Sequence, residues 1–321
     1  PQPHAKQVLF KIICVGVCGS DSQTYHGKHK TRNVFPIDFG HEVAGVVIKC
    51  GEQVKGYLPG DRVTVEPQQY CGHCYPCRAG RFNVCEHLKV MSVFFREYVA
   101  VDAYMLHRCP NDMEFEKIAL VEPLAVAIGA TDRCEVRDKK ICVVGAGTIG
   151  NLIAQMALQR GARDVLITDL LEKKLAYARR CGIPHCMNTE KTSLQQVVLS
   201  AFGPDMADVI IDAAATGQGF QSILDAARPR SEIVITGNYK EPVEFDVTRI
   251  QRREISLLGH MMYVRKHFEQ AIQLLYQNQI YTEGFVAQRF DLDHMQQAME
   301  FIDASPESVM KVMIQIGTEE T

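Results

Sequence analysis

The sequence predicts an α/β protein of two domains, an all-β domain followed by a doubly wound domain with a parallel sheet. Three observations carry this reading. Up to about residue 120, short β-rich runs alternate with Gly and Pro punctuation, as in antiparallel barrels. From residue 139 strands alternate with amphipathic helices, which implies a parallel sheet with helical crossovers. At 321 residues the chain also exceeds one ordinary compact domain.

The strands expected in the first domain are VLFKIICVGV, EVAGVVIKC, DRVTVEP and REYVAVD, with few helices among them. KKICVVGAG opens the second domain, followed by a helix from Ile149 to Gln159, the strand DVLITD and the helical LLEKKLAYARR. ADVIIDAAA, the helical QGFQSILDAARP, SEIVITG and EISLLGHM extend that sheet to about residue 260. HFEQAIQLLYQN and HMQQAMEFIDA then read as amphipathic helices, and VMKVMIQIG as a strand returning to the first domain. The expected organisation is residues 1–123 with 265–321 as one domain and 124–264 as the other. Hinges are expected near Glu122-Pro123 and residues 261–266.

Composition narrows the function. The balance of 35 Lys+Arg against 38 Asp+Glu supplies no basic field for nucleic acid or an anionic membrane, so a small-molecule substrate is the expected partner. No apolar run reaches the roughly 18 to 20 residues of a membrane helix, and PQPHAKQVLF lacks the regions of a signal peptide. A cytoplasmic location is therefore expected. Twelve cysteines, strongly clustered, point to metal rather than to a disulfide framework.

Directly after the apolar run Ile141 to Val144 stands Gly145-Ala146-Gly147-Thr148-Ile149-Gly150, a G-x-G-x-x-G pattern opening a helix. In that context the first glycine permits the tight turn, the second lets backbone approach a pyrophosphate and the third packs helix on strand, as in a Rossmann domain. The helix N-terminus offers free N–H groups to the phosphates. Asp169 ends the next strand about 20 residues on, where a carboxylate accepts ribose hydroxyls and repels a 2′-phosphate. NAD is thus expected over NADP, with Lys174 also within reach of the ribose.

Cys71, Cys74, Cys77 and Cys85 form C-x2-C-x2-C-x7-C. Four thiolates this close complete a tetrahedron around zinc with no open position, a structural arrangement that leaves His73 and His87 as bystanders. A second set is dispersed: Cys18 in VGVCGSD, His41 and Glu42 in FGHEVAG, and Glu122 in VEPLAVA. One Cys, one His and a carboxylate suit a catalytic zinc with an open position, although spacing alone does not single these residues out.

VGVCGSD, GHEVAGVV, GDRVTVEP, the four-cysteine lobe, VEPLAVA, VVGAGTIG and ITD occur in an order that resembles the zinc-containing medium-chain dehydrogenases of the alcohol dehydrogenase superfamily, most of all the polyol branch of sorbitol, xylitol and threonine dehydrogenases. The resemblance spans essentially the whole chain. It implies a GroES-like β-barrel catalytic domain plus a Rossmann domain, an active site in the cleft between them, two zinc ions per chain, NAD, and a homodimer or homotetramer. It implies hydride transfer between NAD and a secondary hydroxyl of a small polyol or sugar-derived substrate. Cys18 and His41 match the fixed catalytic-zinc ligands, and Glu42 and Glu122 the carboxylates that exchange there. Ser20 matches the hydroxyl that takes the substrate proton, Tyr25 a substrate-contacting tyrosine, and Thr236, Gly237 and Asn238 the segment beside the nicotinamide. Of the two carboxylates Glu122 is expected nearer the zinc. Adjacent strand residues such as His41 and Glu42 point to opposite faces, whereas a residue before proline is biased toward an extended backbone.

The sequence departs from the family pattern in three places. An extra N-terminal strand is not represented, only Ser-Val-Phe stands between Met91 and Phe95 where relatives carry a longer Gly-rich loop, and Gln23 replaces a common histidine. Two alternatives remain at this level: a sugar-acid or threonine-type dehydrogenase of the same fold, and a non-enzymatic nucleotide-binding structural protein. Both zinc sets argue against the second.

Overall fold

A computed structural model describes residues 1–29, 32–307 and 309–318. The chain forms two units, residues 1–125 with 263–321 and residues 126–262.

The first unit starts with β1 (Gln7–Val17), whose apolar residues are buried on both faces, and the short helix α1 (Gly19–Tyr25). The strands β2 (Glu42–Cys50), β3 (Arg62–Val65) and β4 (Gln68–Gln69) follow. The cysteine lobe contributes one helical turn, α2 (Tyr75–Arg78), and β5 (Lys89–Val90), which pairs with β4. Then come β6 (Tyr98–Asp102), β7 (Leu106–Arg108) and α3 (Phe115–Ala119). Val8, Phe10, Ile12, Val43, Val47, Val63, Val65 and Leu106 share one core with Phe94.

Helix α4 (Val121–Thr131) starts in the first unit and ends in the second. The extended backbone expected at Glu122 is not found, because Glu122 and Pro123 lie in the first turn of this helix. A proline there forfeits nothing, since its missing N–H would have no intrahelical acceptor. The Leu124 amide donates to the Leu120 carbonyl at 3.1 Å, so the helix runs on through the proline.

The second unit contains β8 (Lys140–Val144), α5 (Thr148–Gln159), β9 (Asp164–Asp169), α6 (Glu172–Arg180), β10 (His185–Asn188), α7 (Leu194–Phe202), β11 (Val209–Asp212), α8 (Gly217–Ala226), β12 (Glu232–Ile235), α9 (Val247–Arg253) and β13 (Ser256–Gly259). Its six strands are all parallel, in the order β10-β9-β8-β11-β12-β13. That is the doubly wound order, whose direction of progression reverses between β8 and β11. The strands β8, β9 and β11 are buried apolar runs, as a sheet covered on both faces requires.

The chain returns to the first unit with α10 (Arg265–Tyr276), β14 (Val286–Asp291), α11 (Met295–Ala304) and β15 (Lys311–Gln315). Strand β1 pairs antiparallel with β2 along one edge. On its other edge it pairs with β6 through Gln7–Lys11 and with β15 through Cys14–Val17. Its pairing with β2 shifts register between Leu9 and Phe10 and again between Ile12 and Cys14, irregularities that bend a strand and increase its twist. The full path is β14-β15-β1-β2-β3-β7, with β6 on β1. No helix among the described residues is long and apolar enough to cross a membrane.

Candidate active site

Where β1 ends, Cys18 has extended backbone and caps α1. Its amide donates to Asp21 Oδ2 at 3.0 Å, the reach of a first-turn acid back to the N-cap amide. The other oxygen of Asp21 accepts from the Gly40 amide at 3.1 Å and lies 3.4 Å from His41 Nδ1. Asp21 is fully buried, so one carboxylate ties together two chain segments that meet only in the fold. Burial works against a charged His41, but Asp21 and Cys18 outweigh it and raise the imidazole well above its ordinary value.

Cys18, His41 and Glu42 offer ligand atoms that all lie within 4.8 Å of one another. His41 precedes β2 and Glu42 is its first residue, so the alternation that would have sent them to opposite faces does not apply. Glu42 thus completes the three-residue group, and Glu122, expected nearer the ion, stands outside it among the described residues. Glu122 is buried nearby, as is Tyr263, whose hydroxyl makes no hydrogen bond. Burial pushes the Glu122 carboxyl up to about 7, Glu42 adds to the rise, and His41, Tyr263 and Lys311 oppose it.

Sequence reasoning missed two residues of this pocket. Asp21 carried a signal, an acid three positions after Cys18 at the start of a helix. Lys311 carried another, one charge in the apolar run VMKVMIQIG. Its Nζ lies 2.7 Å from Glu42 Oε1 and 2.6 Å from Oε2, and donates to the Val17 carbonyl at 3.1 Å. Ser20, on the first turn of α1, is half-buried, while Tyr25 at its end is 36% exposed and stands edge-on to His26.

The structure brings the four cysteines together: Cys71, Cys74, Cys77 and Cys85 offer sulfurs within 4.8 Å of one another. The amides of Cys71 and His87 point at Cys85 Sγ, at 3.4 and 3.3 Å, and the Cys74 amide at Cys71 Sγ, at 3.4 Å. Burial alone would raise the Cys74 thiol, but amides and neighbouring sulfurs bring it down to about 6, whereas burial and its neighbours push Cys77 up to about 12. Cys74 forms its thiolate readily and Cys77 resists, a conflict that a bound dication relieves. A closed thiolate set and a mixed Cys, His and carboxylate set both fit zinc in donor chemistry.

In the second unit Gly145 follows β8 with φ +98°, and a Cβ on Gly150 would stand 1.7 Å from the Gly145 carbonyl oxygen. Both positions therefore exclude side chains. Gly147 caps α5 without a side-chain hydrogen bond, and a Cβ there would meet nothing within 4 Å, so the helix start carrying Thr148 and Ile149 faces open space. Asp169 Oδ2 accepts from the Ala146 amide at 2.7 Å and Oδ1 from the Leu171 amide at 2.9 Å. Lys174, on α6, is half-buried. Beyond β12, the Thr236 and Gly237 amides donate to the Asp212 carbonyl at 3.0 and 2.9 Å, and Asn238 is exposed. Asp212, unremarked in the sequence, also accepts from the Ala214 and Ala215 amides and from the Tyr239 hydroxyl.

Comparison with known proteins agrees with this architecture. The alcohol dehydrogenase GroES-like domain family matches residues 4–111, and the zinc-binding dehydrogenase family matches residues 148–277. The chain is 31% identical to the 2-dehydro-3-deoxy-L-galactonate 5-dehydrogenase of Pseudoalteromonas atlantica, over 99% of this chain and 94% of that protein. It is 29% identical to a sorbitol dehydrogenase of Bombyx mori, over 98% of this chain and 93% of the relative. Among solved structures, a zinc-binding dehydrogenase of Sinorhizobium meliloti 1021 with NADP bound superposes with a TM-score of 0.91 at 26% identity, covering 98% of this chain and 93% of that one. An alcohol dehydrogenase of Escherichia coli CFT073 complexed with NADH superposes with a TM-score of 0.90 at 30% identity, with the same coverage of 98% and 93%. The chain belongs to the zinc-containing alcohol dehydrogenase superfamily of oxidoreductases that act on hydroxyl groups.

Proposed function

We propose that this dehydrogenase transfers a hydride between NAD and a secondary hydroxyl of a small polyol or sugar-derived substrate, with one catalytic and one structural zinc per chain. The observation that carries the reading is the group of half-buried Cys18 with buried His41 and Glu42, in the same unit as a separate set of four cysteines. Lewis-acid polarisation of the substrate oxygen is the chemistry a zinc ion supplies in such an open, mixed set.

The chain's own residues divide the remaining work. Cys18, His41 and Glu42 hold the metal, with Glu122 as the alternate carboxylate, and Asp21 orients Cys18 and His41. Ser20 accepts the hydroxyl proton and Tyr25 contacts the substrate. Cys71, Cys74, Cys77 and Cys85 hold the structural ion. Gly145, Gly147, Thr148, Ile149 and Gly150 cradle the pyrophosphate, Asp169 and Lys174 hold the ribose, and Thr236, Gly237 and Asn238 bind beside the nicotinamide. The first unit is the catalytic domain and the second the cofactor domain, in a cytoplasmic homodimer or homotetramer.

Two relatives named for a sugar-acid derivative and for sorbitol favour a polyhydroxylated substrate. Relatives with NADP and with NADH favour neither cofactor, and the support for NAD comes from Asp169 at the end of β9. A screen of sorbitol, xylitol, inositol, galactonate, threonine and butanediol with NAD and with NADP, followed at 340 nm, tests the reading. Turnover of threonine alone would favour the amino-alcohol alternative, and no turnover with any of them, in protein carrying two zinc ions, would sink the polyol assignment.

A further inference from the structure

Glu42 and Lys311 form a buried pair, 1% and 2% exposed, delivered by β2 and β15 to opposite edges of β1. The ammonium sits 2.7 and 2.6 Å from the two carboxylate oxygens and is steadied by the Val17 carbonyl at 3.1 Å. Oε1 accepts a hydrogen bond from it, whereas Oε2, though close, has no hydrogen bond and is buried. The pair fills the space over Gly16, where a Cβ would come within 2.2 Å of Glu42 Oε2 and 3.3 Å of Lys311 Cδ.

Two cations therefore compete for one carboxylate: the ammonium, already in contact, and any dication held by Cys18 and His41. With all groups ionised, a dication, one thiolate and the buried carboxylates of Asp21, Glu42 and Glu122 leave an excess of two negative charges, which the ammonium reduces to one. Like charges in a buried site repel strongly, and a carboxylate bound to an ammonium is withheld in part from a metal.

We propose that Lys311 is a positioning residue that keeps Glu42 a detachable metal ligand, weakening the hold of the catalytic site on its ion. This rests on the reading that Cys18, His41 and Glu42 form that site. It makes a prediction opposite in sign to a supporting role. If Lys311 merely oriented Glu42 for the metal, its loss would weaken metal binding; if it competes, its loss tightens binding.

The experiment uses the full chain, stripped of its more loosely held ion with a chelator and titrated with Co2+ against a chromophoric competitor. Lys311→Met should bind Co2+ at least tenfold more tightly and shift the cobalt absorption bands, as Glu42 becomes a permanent ligand. Lys311→Arg keeps the charge and grips both oxygens with a planar fork, so it should bind Co2+ several-fold more weakly. Unchanged or weaker binding by Lys311→Met overturns the proposal. Should that variant fail to fold, Lys311→Arg decides: weaker binding supports the proposal, and equal or tighter binding overturns it. An unmodified chain that takes up one metal ion instead of two refutes the catalytic-site reading and this proposal with it, whereas two ions with indifferent Lys311 variants refute only the proposal.

Discussion

The Asp169 carboxylate accepts a hydrogen bond from the Ala146 amide at 2.7 Å, tying the end of β9 to the glycine turn after β8. The acid proposed to meet the ribose is thus also a brace for the turn proposed to meet the pyrophosphate. Replacing it touches both.

Asp169→Ser is expected to relax the preference for NAD over NADP by tenfold or more, by removing the charge that repels a 2′-phosphate. Because Ala146 loses its acceptor, affinity for NAD should fall as well. Specificity constants with each cofactor check this, and equal use of both by the unmodified chain would sink the assignment.

Metal analysis should return about two zinc ions per chain, one lost readily to a chelator. Cys74→Ser should lower the melting temperature by several degrees, about the size of a stability loss of 1 to 2 kcal/mol or more in a chain of this length. Lost turnover with unchanged melting would reverse the structural assignment of the four cysteines.

Glu42→Gln is expected to reduce metal retention at the proposed catalytic site, and Glu122→Gln to leave it nearly intact, because Glu42 groups with Cys18 and His41 within 4.8 Å and, among the described residues, Glu122 does not. Zinc content after dialysis separates them. Retention by Glu42→Gln with loss in Glu122→Gln would restore the opposite order.

Asp21→Asn should cost about 10- to 100-fold in metal affinity, the usual effect of removing the carboxylate behind a ligating histidine. It loses the acceptor for either Cys18 or Gly40, and the charge beside His41. The check is a chelator competition; unchanged affinity would make Asp21 a folding residue only.

Asp208 provides a pH test in the other unit. Burial raises its carboxyl, but the Lys140 amide and the Arg228 guanidinium overcome this and hold it below the ordinary value. A folded value below the unfolded one contributes stability that is present above the unfolded pKa and lost as pH falls through the folded pKa. Asp208→Asn should therefore melt a few degrees lower at neutral pH, roughly the scale of a partly exposed ion pair, and converge with the unmodified chain in acid below about pH 4. A difference that persisted undiminished at pH 3 would exclude this cause.

What was legible in the sequence was what lies contiguous in it. The turn from Gly145 to Gly150 and the lobe from Cys71 to Cys85 are local signals with local geometry, the first opening α5 and the second bringing four sulfurs within 4.8 Å of one another. Cys18 and His41 were visible only through resemblance, since nothing in either neighbourhood announces the other. Lys311 was invisible as a partner of Glu42 because their pairing depends on β15 and β2 flanking the same strand. The error at Glu122 came from weighing a local bias at the residue before proline above the tolerance for proline in a helix's first turn. The expectation that His41 and Glu42 face opposite ways counted His41 as part of β2, whereas the strand begins at Glu42 and the alternation does not reach back to it.

The pairing of Val17 with Val312 sets an order of events during synthesis. The C-terminal half of β1 is made well before its partner on that edge, with the whole of residues 126–262 between them. Residues 126–262, by contrast, are one continuous stretch with their own sheet. The middle of the nascent chain is free to mature while the N-terminal strand waits with an open edge, the kind of surface that chaperones guard. Since Lys311 arrives with β15, a chain released before that strand is made would have the parallel sheet finished and Glu42 still without its cation.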